Sequence, residues 1–470
     1  MSRSQATLMR PPQRDVPART EAIESRVPEV LLTAVFLLFT VPVILLQHAG
    51  PAGAKDQELF HLPTIRIFAE QFPAVQLNDA RVATGPLFHV VMAPIERYVT
   101  GDRLLLQLIA MVFSVACVLV MFRVVTHWVG RWMALAIVLP FALSNYVVQS
   151  AAWLNTDNMA LIFVILTLAA SLAIMTRHGG FVIAGVAALL AVWVRQVDLF
   201  LAGVVMLAGI LAAAVQPPGT AVLRFPRELS ASARRTILGA TGATALTVVG
   251  SLALFVAWGG LTPEFFRHQS GFSPSAWPFT LALLGLFGTP YLLATGASLG
   301  DIVRPLYTDA RVAAATLLLV VIGSIVPLAT GDAAGGGLWR VLHTAPTIAE
   351  RSPLLGLLAG WGVLGTFAWW RIHVRNGRAR ESLLLLVALL GLTLANTVNQ
   401  AVYQRYFEPQ LLVLLAFLTA IALRDLYGPA RDGPPPRRAI LALGALTAVQ
   451  VLGCIVVVFG PTWNAASLGG

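Results

Sequence analysis

The amino-acid sequence predicts an all-α polytopic membrane protein, because apolar runs of about twenty residues recur along the 470-residue chain. Hydrophobic residues make up 57% of the chain and charged residues only 11%, and the mean hydropathy is +0.78. No alternating pattern of apolar and polar residues is evident, which disfavours a membrane barrel. The net charge of +10 is interpreted as a signal of membrane orientation, and nucleic acid is not expected as a partner.

Thirteen apolar segments are predicted to cross the membrane. They are residues 30–48, 104–126, 131–151, 156–175, 179–196, 198–216, 237–258, 276–298, 312–330, 353–371, 383–401, 409–424 and 439–460. A further segment, residues 84–99, is apolar but short, flanked by proline, and carries His89 and Glu96. It could be another span or a helix that lies in the membrane interface.

Arginine placement decides between these two interpretations of residues 84–99. If this segment is interfacial and the N-terminus is cytoplasmic, 22 of the 31 arginines fall on the cytoplasmic side, as the positive-inside rule expects. If it crossed the membrane, every later loop would change sides and the bias would reverse. The sequence therefore predicts a cytoplasmic tail at 1–28, a transmembrane module at 29–460 and an extracytoplasmic tail at 461–470. The first extracytoplasmic loop, 49–103, would carry interfacial helices.

The extracytoplasmic face is then sparse in charge, and its polar groups come from six separate places. These are the loop 49–103, Asn155–Asp157, Arg195–Asp198, Glu264–His268, Trp339–Arg351 and Asn399–Tyr406. Ionisable residues at membrane depth are costly and usually mark functional sites. Because the topology rests on arginine counts alone, the meeting of these groups on one face is independent support for a single extracytoplasmic cavity.

The first loop supplies three candidate catalytic carboxylates, Asp56, Glu58 and Asp79. A carboxylate at a membrane–water boundary can act as a general base that removes a proton from an attacking hydroxyl. The structural alternative is an acid that caps an interfacial helix or is simply solvated. Three acids in one loop beside a span favour the catalytic interpretation.

Arginines on the same face are candidate anion ligands, because the guanidinium group offers a planar fork of donors that matches phosphate. Arg195, Arg340 and Arg405 are the candidates for holding a phosphate, with Arg351 also on this face. The alternative for Arg195 is a structural ion pair with Asp198, three residues further along a helical face. The other residues predicted to line the cavity are His61, Asp157, Gln196 and Tyr406.

Neither a metal nor a cofactor is expected. The extracytoplasmic histidines, His61, His89, His268 and His343, are too scattered for a metal site. The sequence has no phosphate-binding Walker loop and no dinucleotide glycine fingerprint. A donor substrate would therefore be lipid-borne and would reach the cavity sideways from the bilayer.

The first-loop motif Glu58-Leu-Phe-His-Leu-Pro63, followed by Asp79 and Thr84-Gly-Pro-Leu-Phe88, resembles a known family. That family is the dolichyl-phosphate-glucose α-1,2-glucosyltransferases, GT-C enzymes that add the terminal glucose to the lipid-linked oligosaccharide of N-glycosylation. Their loop reads Asp-Glu-x-Phe-His-x-Pro, then Trp-Asp-Pro and Thr-x-Pro-Gly-Leu-Tyr. Three later motifs are similar to the family's Tyr-Thr-Glu, Arg-Gln-Thr-Asn and Arg-Tyr-Phe: Asn155-Thr-Asp157, Arg195-Gln196 and Arg405-Tyr-Phe407.

The resemblance implies a GT-C-type fold with about 13 transmembrane helices and an extracytoplasmic active site. It also implies inverting transfer of a hexose, such as glucose, from an undecaprenyl or dolichyl phosphate to a glycan or lipid-linked acceptor. A first-loop acid would be the base, and Arg405, with Arg340 or Arg195, would hold the departing phosphate. The arginine-rich composition is typical of a GC-rich bacterial genome, which predicts an inner-membrane enzyme with a periplasmic site; a eukaryotic source would place it in the endoplasmic reticulum.

The chain departs from the family pattern at three places, and these leave the base open between two residues. The family's Asp-Glu pair becomes Gln57-Glu58 with Asp56 displaced by one position, Asp198 stands where the family has asparagine, and Gly85-Pro86 is in reversed order. Glu58 leads Asp56 narrowly as the base, with Asp79 positioning the acceptor. The alternative function is a transporter or flippase of a lipid-linked or anionic substrate, which the absence of inverted repeats disfavours.

Overall fold

The computed structural model describes residues 26–46, 52–177, 179–216, 220, 222–330, 334–428 and 433–459. Its helices are α1 (Val27–Leu45), α2 (Ala52–Asp56), α3 (Leu62–Gln71), α4 (Leu87–Tyr98), α5 (Arg103–Thr126), α6 (Arg131–Ala142), α7 (Asn145–Ala152), α8 (Asp157–Arg177), α9 (Phe181–Val194), α10 (Phe200–Ala212), α11 (Ala231–Trp258), α12 (Ala276–Ala294), α13 (Leu299–Val303), α14 (Pro305–Thr308), α15 (Ala310–Ile325), α16 (Gly337–Thr344), α17 (Pro353–Arg375), α18 (Ala379–Thr397), α19 (Glu408–Tyr427) and α20 (Arg437–Cys454). Two-residue strands, β1 (Ala334–Gly335) and β2 (Val402–Tyr403), pair in parallel.

The prediction of an all-α polytopic membrane protein is confirmed. Within the described residues, nine helices are long and apolar enough to cross a membrane, and two bent helix pairs could each form one more span. The bent pairs are α6 with α7 and α13–α14 with α15. Two shorter apolar helices, Phe181–Val194 and Gln196–Ala212, complete the set. Each of the thirteen predicted segments overlaps one of these elements.

The first loop folds as a set of short helices, as expected. After α2 come a π-helical turn (Gln57–His61), α3, a 3₁₀ turn (Leu77–Asp79) and α4. The 12 residues of α4 rise about 18 Å, which is shorter than the hydrocarbon core of a bilayer. Its interfacial position and the sidedness of every loop stay predictions. Residues 1–25 of the predicted cytoplasmic tail, and all of 461–470, lie outside the described residues.

Helix α19 lies at the centre of the bundle, with every residue from Glu408 to Leu423 buried. A helix that is apolar on all sides is stable only when other helices surround it. Helices α6, α12 and α18 pack directly against it. Its first turn is unusual, because Glu408 and Gln410 are polar and buried there. The N-terminal end of α19 therefore brings polar groups into the middle of the bundle.

Other helix breaks meet at that same end of α19. Helices α6 and α7 bend by 71° around Ser144, and the chain leaves α9 at Arg195 in an extended conformation, with φ of −144°. The parallel pairing of β1 with β2 sets the segment before α16 beside the residues that precede α19. Breaks in membrane helices free backbone groups and side chains to build a polar site.

Candidate active site

Arg405 is the centre of the polar site and forms an ion pair with Asp56. Arg405 lies in the 3₁₀ turn before α19, and Asp56 is the last residue of α2. About a fifth of each side chain is exposed, 22% for Arg405 and 19% for Asp56. The guanidinium carbon also lies 5.2 Å from the ring centroids of Tyr403 and Tyr406. The two charges therefore neutralise each other and the guanidinium packs against two tyrosine rings, yet part of each side chain stays exposed.

Helix α2 can approach the bundle closely because of its small and amide residues. A Cβ at Gly53 would lie 2.5 Å from the Trp153 ring, so only glycine fits there. The Gln57 side chain accepts hydrogen bonds from Gln107 Nε2 (3.0 Å) and from the backbone N–H of Leu154 (2.9 Å). These contacts fix Asp56, one residue earlier, against the interior of the bundle.

A second ion pair lies deeper, between Arg195 and Asp157, at 2.6 Å. Both side chains are buried, 8% and 9% exposed, and Asp157 is at the N-terminus of α8, where a negative charge is favoured. The Arg195 guanidinium carbon lies 5.0 Å from the centroid of the Tyr406 ring. Tyr406 therefore contacts both arginines and joins the two ion pairs into one cluster.

Asp198 does not pair with Arg195, so the sequence-based alternative of an i, i+3 ion pair is wrong. The reason is the extended backbone at Arg195, which removes the helical geometry that would place the two side chains on one face. Asp198 is fully buried and instead accepts a hydrogen bond from Gln410 Nε2 at 2.6 Å.

A cavity of about 740 Å³ adjoins the cluster, within the usual size range of ligand pockets. Arg195, Gln196 and Tyr406 lie in its wall. Most of the remaining lining is apolar, including four side chains that are more than half exposed: Leu261, Phe272, Leu394 and Val398. The cavity therefore joins a cationic wall to an apolar mouth.

The loop before α4 closes one edge of this cavity. Gln196 Nε2 donates to the carbonyl of Ala83 at 2.6 Å, and Ala83 and Thr84 line the cavity. A Cβ at Gly85 would lie 2.1 Å from the carbonyl oxygen of Trp193. Glycine at position 85, where the resembling family has a different order, thus allows the loop to lie directly on the end of α9.

His61 packs on His89, within the range of the charges of both arginines. Its Nδ1 is 2.9 Å from His89 Nε2, so one ring donates and the other accepts. Burial, followed by the charges of Arg405 and Arg195, lowers the pKa of His61 from 6.5 to about 3. Burial also lowers the pKa of His89 well below its usual range. The pair is neutral at physiological pH and adds no positive charge to the cluster.

The remaining predicted site residues lie at the surface. Glu58 forms an ion pair with Arg103 at 3.0 Å, with both side chains more than 40% exposed. Asp79 is exposed and accepts a hydrogen bond from Gln71, and Arg340 is exposed on α16. Of the ten predicted residues, three thus lie at the surface, Gln196 lies at the cavity edge, and six belong to the cluster. The six are Asp56, His61, Asp157, Arg195, Arg405 and Tyr406.

No group of three or more His, Cys, Asp or Glu side chains that could hold a metal ion occurs among the described residues. Sequence reasoning missed Glu408 and named Gln404 only among the polar groups beside Arg405; both are buried. A signal was present, because an acid at the first position of a long apolar segment is costly unless it is bonded.

Comparisons with known proteins give distant structural likenesses. No family model matches the chain, and no curated protein matches it. Crystal structures of ArnT from Cupriavidus metallidurans, one bound to undecaprenyl phosphate and one in the apo state, are similar at TM-scores of 0.39 and 0.37. Identities are 14% and 16%, covering 93% of this chain and 78% of the other. Scores this low assign neither a family nor a function.

Proposed function

We propose that this protein is a membrane glycosyltransferase that moves a sugar from a polyprenyl monophosphate to a hydroxyl of a glycan or lipid-linked acceptor. The observation that carries the proposal is the contact of two arginines, Arg195 and Arg405, with the ring of Tyr406 beside a mostly apolar cavity whose wall includes Arg195 and Tyr406. A donor that is a lipid at one end and a phosphate ester at the other matches both parts. The donor would be an undecaprenyl or dolichyl phosphate sugar.

Donor binding would use the apolar mouth for the prenyl chain and the arginines for the phosphate. The exposed side chains of Leu394, Val398 and Phe272 would face lipid in a bilayer, so the chain could enter sideways. Arg195 faces the cavity, and Arg405 lies at the other side of the same cluster. Arginine remains charged in a low dielectric and matches phosphate with two parallel donors.

Asp56 is the first-loop acid best placed to act as base, because it alone of the three contacts the arginine cluster. The donor phosphate would compete with Asp56 for Arg405 and free the carboxylate. The acceptor hydroxyl would then attack the anomeric carbon, Asp56 would take its proton, and the bond to the phosphate oxygen would break. The electron pair of that bond leaves with the polyprenyl phosphate, whose charge the arginines stabilise.

The choice of sugar, stereochemistry and linkage rests on the resemblance of the sequence motifs to the α-1,2-glucosyltransferase family. This resemblance favours a GT-C-type fold, a hexose such as glucose, inversion at the anomeric carbon and an α-1,2-like linkage. The arginine bias of the loops favours an extracytoplasmic active site, which would be periplasmic in a bacterial inner membrane. Glu58, Asp79 and Arg340 stay predictions as site residues; their surface positions allow roles in acceptor binding.

The test is transfer by the purified protein in lipid nanodiscs, with radiolabelled undecaprenyl- and dolichyl-phosphate hexoses and a panel of glycan and lipid-linked acceptors. We expect labelled product with one donor class, lost in Arg405→Ala and retained in the surface control Arg103→Ala. Binding of tritiated undecaprenyl monophosphate should likewise be lost in Arg405→Ala and retained in Arg103→Ala. If no donor gives product and reconstituted vesicles instead show facilitated movement of the labelled lipid, the protein is a transporter or flippase.

A further inference from the structure

Glu408 is a buried carboxylate that accepts three hydrogen bonds from three different segments. Its Oε1 accepts from Ser144 Oγ at 2.8 Å and from Gln450 Nε2 at 3.0 Å. Its Oε2 accepts from Gln404 Nε2 at 2.6 Å. Only 2% of Glu408 is exposed, so it does not face the cavity or a substrate. Both oxygens are therefore used by the protein itself.

The hydrogen bonds run in one direction through this network. Gln404 uses its Nε2 to donate to Glu408 and its Oε1 to accept from the backbone N–H of Leu338 at 2.9 Å. The amide cannot rotate without facing a donor toward Leu338. Leu338 lies in the first turn of α16, and Ser144 lies at the bend between α6 and α7. The hydrogen bonds of Glu408, directly and through Gln404, therefore connect both to the N-terminus of α19.

Arg405 directly follows Gln404 in the same 3₁₀ turn, so the network fixes the backbone from which Arg405 projects. We infer that Glu408 is a positioning residue that sets the Arg405 guanidinium for the donor phosphate, through Gln404. This inference rests on the proposed function. The competing explanation is a buried polar network that only stabilises the bundle, and it predicts no specific effect on phosphate binding.

Glu408→Gln keeps the shape of the side chain but replaces one acceptor with a donor. The introduced amide can still accept from Ser144 and Gln450, but its NH₂ then faces the NH₂ of Gln404. While Ser144 and Gln450 hold the amide oxygen, either the contact with Gln404 is lost, or the Gln404 amide rotates and opposes the N–H of Leu338. Both outcomes release the turn that carries Arg405. Because Arg405 then no longer points at the phosphate, the Kd for undecaprenyl monophosphate should rise about tenfold, which corresponds to about 1.4 kcal/mol.

The decisive variant is the exchange Glu408→Gln with Gln404→Glu. The carboxylate introduced at 404 accepts from Leu338 N–H and from the amide introduced at 408, whose oxygen accepts from Ser144 and Gln450. Every hydrogen bond of the network is then restored, and only the bond between positions 404 and 408 has its donor and acceptor exchanged. Gln404→Glu alone sets two carboxylates against each other and should also raise the Kd. We expect the double variant to recover tight binding of tritiated undecaprenyl monophosphate.

Gln450→Ala is the matched control, because it removes a bond to the same carboxylate without touching the Arg405 turn. It should lower the apparent Tm in detergent while leaving the Kd unchanged. Equal weakening of binding by Gln450→Ala and Glu408→Gln, or no recovery in the double variant, would overturn the inference.

A second readout separates this inference from the proposed function. If Glu408→Gln displaces Arg405, the Asp56–Arg405 pair is already broken, and Asp56→Asn should lower the apparent Tm less in that background than in the wild type. Additive Tm losses would refute positioning even if the lipid binds. If the wild type does not bind undecaprenyl monophosphate, the proposed donor is wrong, and the Tm cycle still decides whether Glu408 positions Arg405.

Discussion

Two ion pairs of the same chemical type lie in opposite environments, and the contrast shows what distinguishes a site from a surface. Arg195–Asp157 is 2.6 Å long with both side chains about 90% buried, whereas Arg103–Glu58 is 3.0 Å long with both side chains nearly half exposed. Each charge of the buried pair depends on its partner, since water cannot replace it. The exposed pair is screened and contributes about 0–1 kcal/mol.

The Asp56–Arg405 pair lies between these extremes, with about a fifth of each side chain exposed. It is buried enough for the charges to interact strongly, and open enough for a substrate to reach them. A fully buried pair cannot exchange partners at low cost, and a solvated pair gains little by doing so. Intermediate burial therefore suits an arginine that must release a carboxylate when a phosphate binds.

Asp56→Asn should have the largest effect, because it removes the carboxylate that is proposed as the general base. The variant keeps the size and polarity of the side chain but cannot accept a proton. General-base catalysis contributes about 10²- to 10⁴-fold, so the rate of sugar transfer should fall by that factor. The rate is measured by single turnover with saturating donor, which separates chemistry from donor binding.

Asp79→Asn is the control for this measurement, since Asp79 is exposed and outside the arginine cluster. It should retain most of the wild-type rate. A normal rate in Asp56→Asn together with a large loss in Asp79→Asn would move the base to the surface of the loop.

The buried pair should instead govern stability. Asp157→Ala leaves the Arg195 guanidinium without its carboxylate at a site with almost no solvent, which costs about 3–5 kcal/mol. The apparent Tm in detergent should therefore fall sharply. Removing both partners, in Asp157→Ala with Arg195→Ala, should recover part of that loss because no buried charge is left unpaired. A double variant less stable than the sum of the single changes would contradict this account.

The neutral His61 predicts an acid-sensitive fold. Its pKa is lowered to about 3 in the folded protein, while an unfolded chain would have the usual 6.5. The unfolded state thus binds the proton first, so stability is complete above about pH 6.5 and falls progressively toward pH 3. His61 contributes at most about 1.4 kcal/mol per pH unit to this slope, and His89, whose pKa is also lowered by burial, adds a contribution of the same sign. His61→Gln should flatten the decline of Tm between pH 7 and 5, and exposed His268→Gln should not.

The sequence was sufficient for the helical architecture because hydrophobic length is a local property. Every predicted span overlaps an apolar helix or a bent pair, including the short segments that flank Arg195. Helix bends such as the one at Ser144 were not predictable, since they depend on which neighbour takes the freed polar group. In this case the neighbour is Glu408, 264 residues further along the chain.

The site could be predicted in outline but not in its pairings. Asp56 and Glu58 are two residues apart, so on a helical turn they point in nearly opposite directions, and the sequence does not say which is inward. The π-helical turn that begins at Gln57 has a wider hydrogen-bond spacing than an α-helix, so its side chains point in directions that an α-helical pattern does not predict. Likewise, Arg195 pairs with Asp157 instead of Asp198 because its own backbone is extended, and no local sequence motif predicts that conformation.

The smallest effect is expected at Glu58, the residue that sequence reasoning placed narrowly first. Its carboxylate is nearly half exposed and bonded to Arg103 and to the Gln57 amide. Glu58→Gln should change the transfer rate less than about twofold and the stability by at most about 1 kcal/mol. Raising the salt from 50 to 500 mM should abolish even that difference, because exposed pairs are screened. A hundredfold loss of transfer in Glu58→Gln, with Asp56→Asn active, would make Glu58 the base and would require the first loop to rotate when the donor binds.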